Sequence, residues 1–102
     1  LTRVLAAEMA ALGAKGVTVN AVCPGFTDTD MVTGPRGTLT LTAEKAGASV
    51  DETWERYFGN ISLQDRLLEP EEVAAMVAYL ASDDARGITG QALNVCGGSV
   101  FY

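Results

Sequence analysis

Residues Val17–Met31 read VTVNAVCPGFTDTDM, and the fold turns on what this stretch forms. Val17 to Cys23 is short, partly β-branched and apolar on both faces, as in a strand buried within a parallel sheet. Gly16 opens it and Pro24-Gly25 closes it. Proline fixes the exit direction, and glycine lets backbone approach backbone or ligand closely. A plain turn needs no more than this. Beyond it, however, Thr27 and Thr29 stand two apart, so an extended loop would set their hydroxyls on one side. Ligands of open parallel sheets bind beyond the carboxyl ends of the strands. A loop there offers both a donor and an acceptor, the pair that a carboxamide group requires.

Working outward, Leu1, Val4, Leu5, Met9 and Leu12 recur at helical spacing, and Gly13 is placed to stop that helix. Nothing at or before Leu1 can cap it, so the pattern reads as a chain entered mid-helix. Residues 30–48 hold Gly34, Pro35, Gly37, Gly47 and several threonines, and read mostly as loop. Ser49-Val-Asp-Glu52 is a capping box. Behind it Val50, Trp54, Tyr57, Phe58 and Ile61 share one face, which predicts a short amphipathic helix from Val50 to Phe58 ended by Gly59. On spacing alone, its aromatic stripe is a packing face.

Glu69-Pro70-Glu71-Glu72 opens the next helix, with proline in the first turn and acids at the positive end of the dipole. The two glutamates are helix-start chemistry and not an acid/base couple. Val73, Met76, Val77 and Leu80 form the stripe, and Ser82-Asp83-Asp84 the end. A turn at Gly87–Gly90 leads to a second strand, Gln91–Cys96, closed by Gly97-Gly98. Helix, strand, lid-like insertion, helix, strand predicts two parallel strands joined by a right-handed crossover. Two strands cannot bury faces this apolar, so further strands are expected from more chain or from a partner.

The 102 residues fit one domain, and 48% of them are hydrophobic, as in a globular interior. Seven basic against thirteen acidic residues give a net charge of −6, which speaks against nucleic acid and an anionic membrane surface. No apolar run has the length of a membrane span. With Cys23 and Cys96 but no histidine, neither a Cys/His zinc site nor a Ser-His-Asp arrangement can be written. Two cysteines make no disulfide framework, and reduced thiols in a cytoplasmic setting are expected. Arg36, Lys45, Arg56 and Arg66 read as solvated.

The strings VNAVCPGFTDT and LLEPEEVAAMVAYLASDDARGITGQALNVCGG resemble the C-terminal part of the short-chain dehydrogenase/reductase family. The resemblance covers nearly the whole chain outside residues 30–60. The ending QALNVCGG and the terminal tyrosine are most similar to the ketoreductases of aromatic polyketide synthesis; most other members carry Asp where Cys96 stands. Related 3-hydroxyacyl and sugar-alcohol dehydrogenases share much of the rest. The resemblance implies an α/β fold, the C-terminal portion of a Rossmann-like doubly wound parallel sheet, with residues 30–62 as a substrate lid.

It further implies that Pro24, Gly25, Phe26, Thr27 and Thr29 line the nicotinamide side of a cofactor site. Thr27 stands where the family usually has Val or Ile, and would act through its backbone. Asp30 stands where proline is frequent. Met31 and Trp54 would face the substrate, a small ketone or a carrier-bound one. The polyketide branch implies NADP, with NAD left open. The helix over 70–82 and the strand over 91–96 match elements through which members pair, implying a homo-oligomer, a tetramer. The family's catalytic Ser, Tyr-x-x-x-Lys and Asn are not in this sequence: Tyr57 is followed four residues later by Ile61, and Tyr79 by Asp83. There is no Gly-x-Gly phosphate turn either. The expectation is therefore the last part of a longer ketoreductase. The rival expectation is an inactive remnant serving as a structural or subunit-interaction piece.

Overall fold

The computed structural model describes all residues, 1–102. Two four-residue strands, β1 (Ala21–Pro24) and β2 (Ala92–Val95), pair in parallel, with Ala21 opposite Ala92 and Pro24 opposite Val95. The parallel pairing is as expected, but both strands are shorter than the apolar runs. Ahead of β1 the Gly90 amide donates to the Val19 carbonyl at 2.7 Å, and side chains add to this. The Val19 amide donates to Thr89 Oγ1 at 3.0 Å, Asn20 Nδ2 donates to the Ile88 carbonyl at 2.8 Å, and the Gln91 amide donates to Asn20 Oδ1 at 3.1 Å. Asn20 thus holds both sides of the turn through Gly90.

Helix α1 (Thr2–Ala11) precedes β1 and ends at Leu12-Gly13 as the sequence predicts. It buries no residue completely; Leu1, Val4 and Leu12 are widely exposed. Residues 30–48, expected as mostly loop, contain instead a nine-residue helix, α2 (Thr38–Ala46). Its three threonines are poor helix formers, but tertiary packing overrides propensity. Leu39 and Ala43 are buried together on its inner face, and Thr42 Oγ1 donates back to the Thr38 carbonyl at 2.7 Å. Gly47 ends it with a left-handed φ of 63°. The Ala48 amide then reaches the Ala43 carbonyl, the closure that glycine makes without strain.

Helix α3 (Val50–Thr53) begins with the capping box: the Glu52 amide donates to Ser49 Oγ at 3.1 Å and the Ser49 amide to Glu52 Oε2 at 2.9 Å. It continues to Phe58, but through one π turn over Trp54–Phe58, closed by Gly59 N–H to the Trp54 carbonyl at 2.7 Å. The wider turn splits the predicted stripe. Phe58 stacks on Trp54 with ring centroids 6.0 Å apart and 8° between planes, whereas Tyr57 and Val50 turn outward. Thr53 is completely buried beneath, its hydroxyl donating to the Ser49 carbonyl at 2.7 Å.

Helix α4 (Pro70–Leu80) starts with proline in its first turn, as read, and packs on both strands. No helix is long and apolar enough to cross a membrane. The buried apolar side chains are Val32, Leu39, Ala43, Leu68 and Ala85, so burial is greatest within the insertion and beside the two ends of α4. The radius of gyration is 17.5 Å, against about 13 Å for a compact chain of this length. The excess is elongation: the chain extends 57 Å along one axis and 22 and 21 Å along the other two.

Candidate functional site

The site is built at the carboxyl end of β1. The Gly25 amide donates to the Val95 carbonyl at 2.8 Å, drawing the two strand exits together. A Cβ on Gly25 would lie 2.8 Å from Cys96 Cα, closer than real side chains approach, so the exit depends on glycine. Beyond it the loop lies parallel to the segment before α4. The Leu68 amide donates to the Phe26 carbonyl at 2.9 Å, and the Asp28 amide to the Leu68 carbonyl at 2.8 Å, forming a bridge between Thr27 and Leu68. In such a bridge the neighbours of Thr27 make the bonds. Its own N–H and C=O point to the opposite side. That N–H meets no protein acceptor, and the C=O accepts only from Thr29 Oγ1, at 3.4 Å. The result is a fixed donor–acceptor pair beside a strand exit.

Pro24, Gly25, Phe26 and Met31 line a cleft of about 370 Å³ at this exit, together with Val32, Thr38, Ile61 and Ser99. Ile61 belongs to the stripe read as a packing face, whereas Val32, Thr38 and Ser99 carry no signal in the sequence: the first two come from the early part of the folded insertion and Ser99 from the tail after β2. Thr27 and Thr29 are not among the lining residues. Thr27 Oγ1 is occupied, donating to the Gly25 carbonyl at 3.0 Å, so this residue offers its backbone. The Thr29 side chain is exposed, and its hydroxyl is held only by the long bond to Thr27. Trp54 stands one ring back: Phe58, stacked on it, meets the Phe26 ring edge-on with centroids 5.4 Å apart and planes at 79°. A second cleft, about 410 Å³, runs between β1 and α4 past Asn20, Val22 and Val77, away from the strand ends.

Arg66, read as solvated, is paired. Its guanidinium forks Glu72, Nη1 to Oε2 and Nη2 to Oε1, both at 2.7 Å. Arg66 above all, then the Glu69 amide at 2.7 Å, pulls the Glu72 carboxyl down to about 2. Glu72 is thus the helix-start group expected of it. A separation of six residues across a helix start is no helical spacing, so the pairing left no periodic signal in the sequence. Both cysteines are free thiols. The backbone at Val100 holds the Cys96 thiol below its usual range, against some desolvation, with smaller help from Gly98 and Ser99. No group of acidic, cysteine or histidine side chains is arranged to hold a metal ion.

Comparison with known proteins places these features in context. The sequence profile of a family described as enoyl-(acyl carrier protein) reductase matches residues 1–100. The chain is 46% identical over 105 residues to a protein of Streptomyces violaceoruber named as ketoacyl reductase 1 of the granaticin polyketide synthase, covering 100% of this chain and 35% of that protein. It is 44% identical to an acetoacetyl-CoA reductase of Rhizobium meliloti, covering 99% of this chain and 35% of the relative. Among solved structures, a short chain dehydrogenase family protein of Francisella tularensis superposes with a TM-score of 0.81 at 32% identity, over 96% of this chain and 38% of that one. A variant of actinorhodin polyketide ketoreductase, solved with NADPH, superposes with a TM-score of 0.77 at 40% identity, over 99% and 36%. The chain therefore spans about a third of the length of these relatives.

Proposed function

This chain belongs to the short-chain dehydrogenase/reductase family, and on that premise we propose that the complete protein reduces a ketone to an alcohol with a nicotinamide cofactor. The ketone is of polyketide or 3-oxoacyl type, and the cofactor is NADP in preference to NAD. This segment holds the nicotinamide end and covers the substrate. One observation carries the reading: the Thr27 N–H, without a protein acceptor, and its C=O, held only by the long bond from Thr29, both fixed by the bridge to Leu68 at a strand exit beside a cleft. A carboxamide has one donor and one acceptor side, and this pair is complementary to it. Gly25 supports the fit, because its missing Cβ keeps the exit tight against Cys96.

Each residue has a task in that reading. Thr27 orients the ring through its backbone, and the Thr29 hydroxyl is available to the same end. Pro24, Gly25 and Phe26 form the wall, Met31 faces the substrate, and Trp54 supports Phe26 through Phe58. When bound, the nicotinamide supplies the hydride. The lid, residues 30–62, excludes water from that transfer. Polyketide or 3-oxoacyl ketones and NADP are supported by the kinds of relatives found, and by the NADPH of the actinorhodin relative. The setting in this reading is cytoplasmic, with Cys23 and Cys96 kept reduced.

Subunit pairing through 70–82 and 91–96, giving a homotetramer, is supported by the exposure of Val77 and Tyr79 on α4. The same exposure is what favours the second reading, an interaction piece without activity of its own. Titration of the complete protein with NADPH, followed by reduction of a cyclic ketone such as decalone, separates the two. Cofactor binding with turnover is expected; a protein that pairs but binds no dinucleotide is the interaction piece.

A further inference from the structure

The segment 62–69 is a strap linking the insertion to α4, and it touches both strand exits. The Gln64 amide donates to the Gly97 carbonyl at 3.2 Å beyond β2, and Leu68 bridges to the loop beyond β1. Leu68 is only 4% exposed, so its register is fixed by packing as well as by hydrogen bonds. Between these points Asp65 takes a left-handed φ of 47°, unusual for a residue other than glycine. Next to this turn, the Arg66 fork closes on Glu72, and Nη1 also donates to the Leu67 carbonyl at 3.0 Å. The same carboxylate accepts the Glu69 amide. One carboxylate thus gathers donors from residues 66 and 69, the two ends of the last four residues of the strap, with Leu68 between them.

The pair is 44% and 37% exposed, and ion pairs that exposed contribute little to stability. Its effect is directional instead. A planar fork fixes where the guanidinium lies, which a single ammonium contact does not. From this geometry we propose that Arg66 is a positioning residue for the nicotinamide end of the cofactor. Its fork on Glu72 sets the strap, and through Leu68 the direction in which Thr27 presents its N–H and C=O. This rests on the cofactor reading above and adds to it a residue that lines no part of the cleft.

The test compares the complete parent protein with Arg66→Gln and Arg66→Lys in two titrations and one exchange measurement. NADPH is one ligand; 2′-phospho-ADP-ribose, which keeps the adenine half and lacks the nicotinamide, is the other. In Arg66→Gln the Kd for NADPH should rise roughly three- to tenfold, the weight of one hydrogen bond misdirected. The Kd for the analogue should not move, and Arg66→Lys should lie between parent and Arg66→Gln. Without ligand, the Asp28 and Leu68 amides of Arg66→Gln should exchange faster than in the parent. If Arg66→Gln does not fold, Arg66→Lys, which keeps the charge and loses the fork, carries the same comparison. Equal losses for both ligands, or unchanged exchange at Asp28 and Leu68, overturn the proposal. A parent whose Asp28 and Leu68 amides are protected but which binds neither ligand refutes the cofactor reading itself, and this proposal with it.

Discussion

Gly25→Ala is the sharpest single test of the strand exit. The added Cβ would sit 2.8 Å from Cys96 Cα and 3.1 Å from Cys96 Cβ. The obstacle is largely backbone, so no side chain can swing away, and β1 and β2 must part locally. Overpacking of this kind costs about 1–3 kcal/mol. Relatives about three times the length of this chain put the complete protein above the 150–250 residues for which each kcal/mol moves the melting temperature by about 2–4 °C, so Gly25→Ala should melt lower by up to about 12 °C. The shift also carries Phe26 and Thr27 with it, because the Gly25 amide is tied to the Val95 carbonyl. The affinity for NADPH should therefore fall as well. Gly87→Ala is the control: nothing lies within 4 Å of a Cβ built there, and its φ is not left-handed. That change should be neutral, or stabilise by about 0.4–1 kcal/mol through the unfolded chain. Thermal denaturation and cofactor titration of both variants decide the matter. Equal melting temperatures for Gly25→Ala and Gly87→Ala, with unchanged cofactor affinity, would refute the close approach and the exit built on it.

Three further outcomes are expected. Thr29→Val keeps shape and removes a hydroxyl whose bond within the protein is long, so the KM for cofactor should rise about 2–12-fold with the melting temperature nearly unchanged; a large fall in melting temperature at constant KM would make Thr29 structural. Because the Glu72 carboxyl is held below its ordinary value of 4.5, at about 2, the stability from its pairing is complete above pH 4.5 and is lost as pH falls through about 2. Carbon-detected NMR titration of Glu72 reads this directly, and a midpoint near 4.5 would mean the Arg66 fork is open in solution. In hydrogen exchange, residues 33–60 should become more protected when cofactor and ketone bind; amides in 50–58 as protected without ligand as those in 73–81 would make the insertion fixed core rather than a lid.

What the sequence by itself determined was whatever depends on neighbours along the chain. Ser49 and Glu52 are three residues apart, and their reciprocal cap follows from that spacing. Pro70 with the acids after it starts α4, Gly13 stops α1, and the apolar run before Pro24 is a parallel strand. The tertiary structure decided what depends on residues far apart. Threonine-rich residues 38–46 became a helix because Leu39 and Ala43 found a place to bury. The aromatic stripe split because the wider π turn leaves Tyr57 outside while Phe58 stays over Trp54, and spacing counted at 3.6 residues per turn does not show the loss of Tyr57. Thr27 was singled out for its place in the chain, yet its useful atoms are backbone atoms. Only Leu68, 41 positions away, turns them outward by bonding to the atoms on either side. Propensity and capping act over a few residues and can be read locally. Which way a peptide group faces is set by its partner across space, and that partner is known only once the chain has folded.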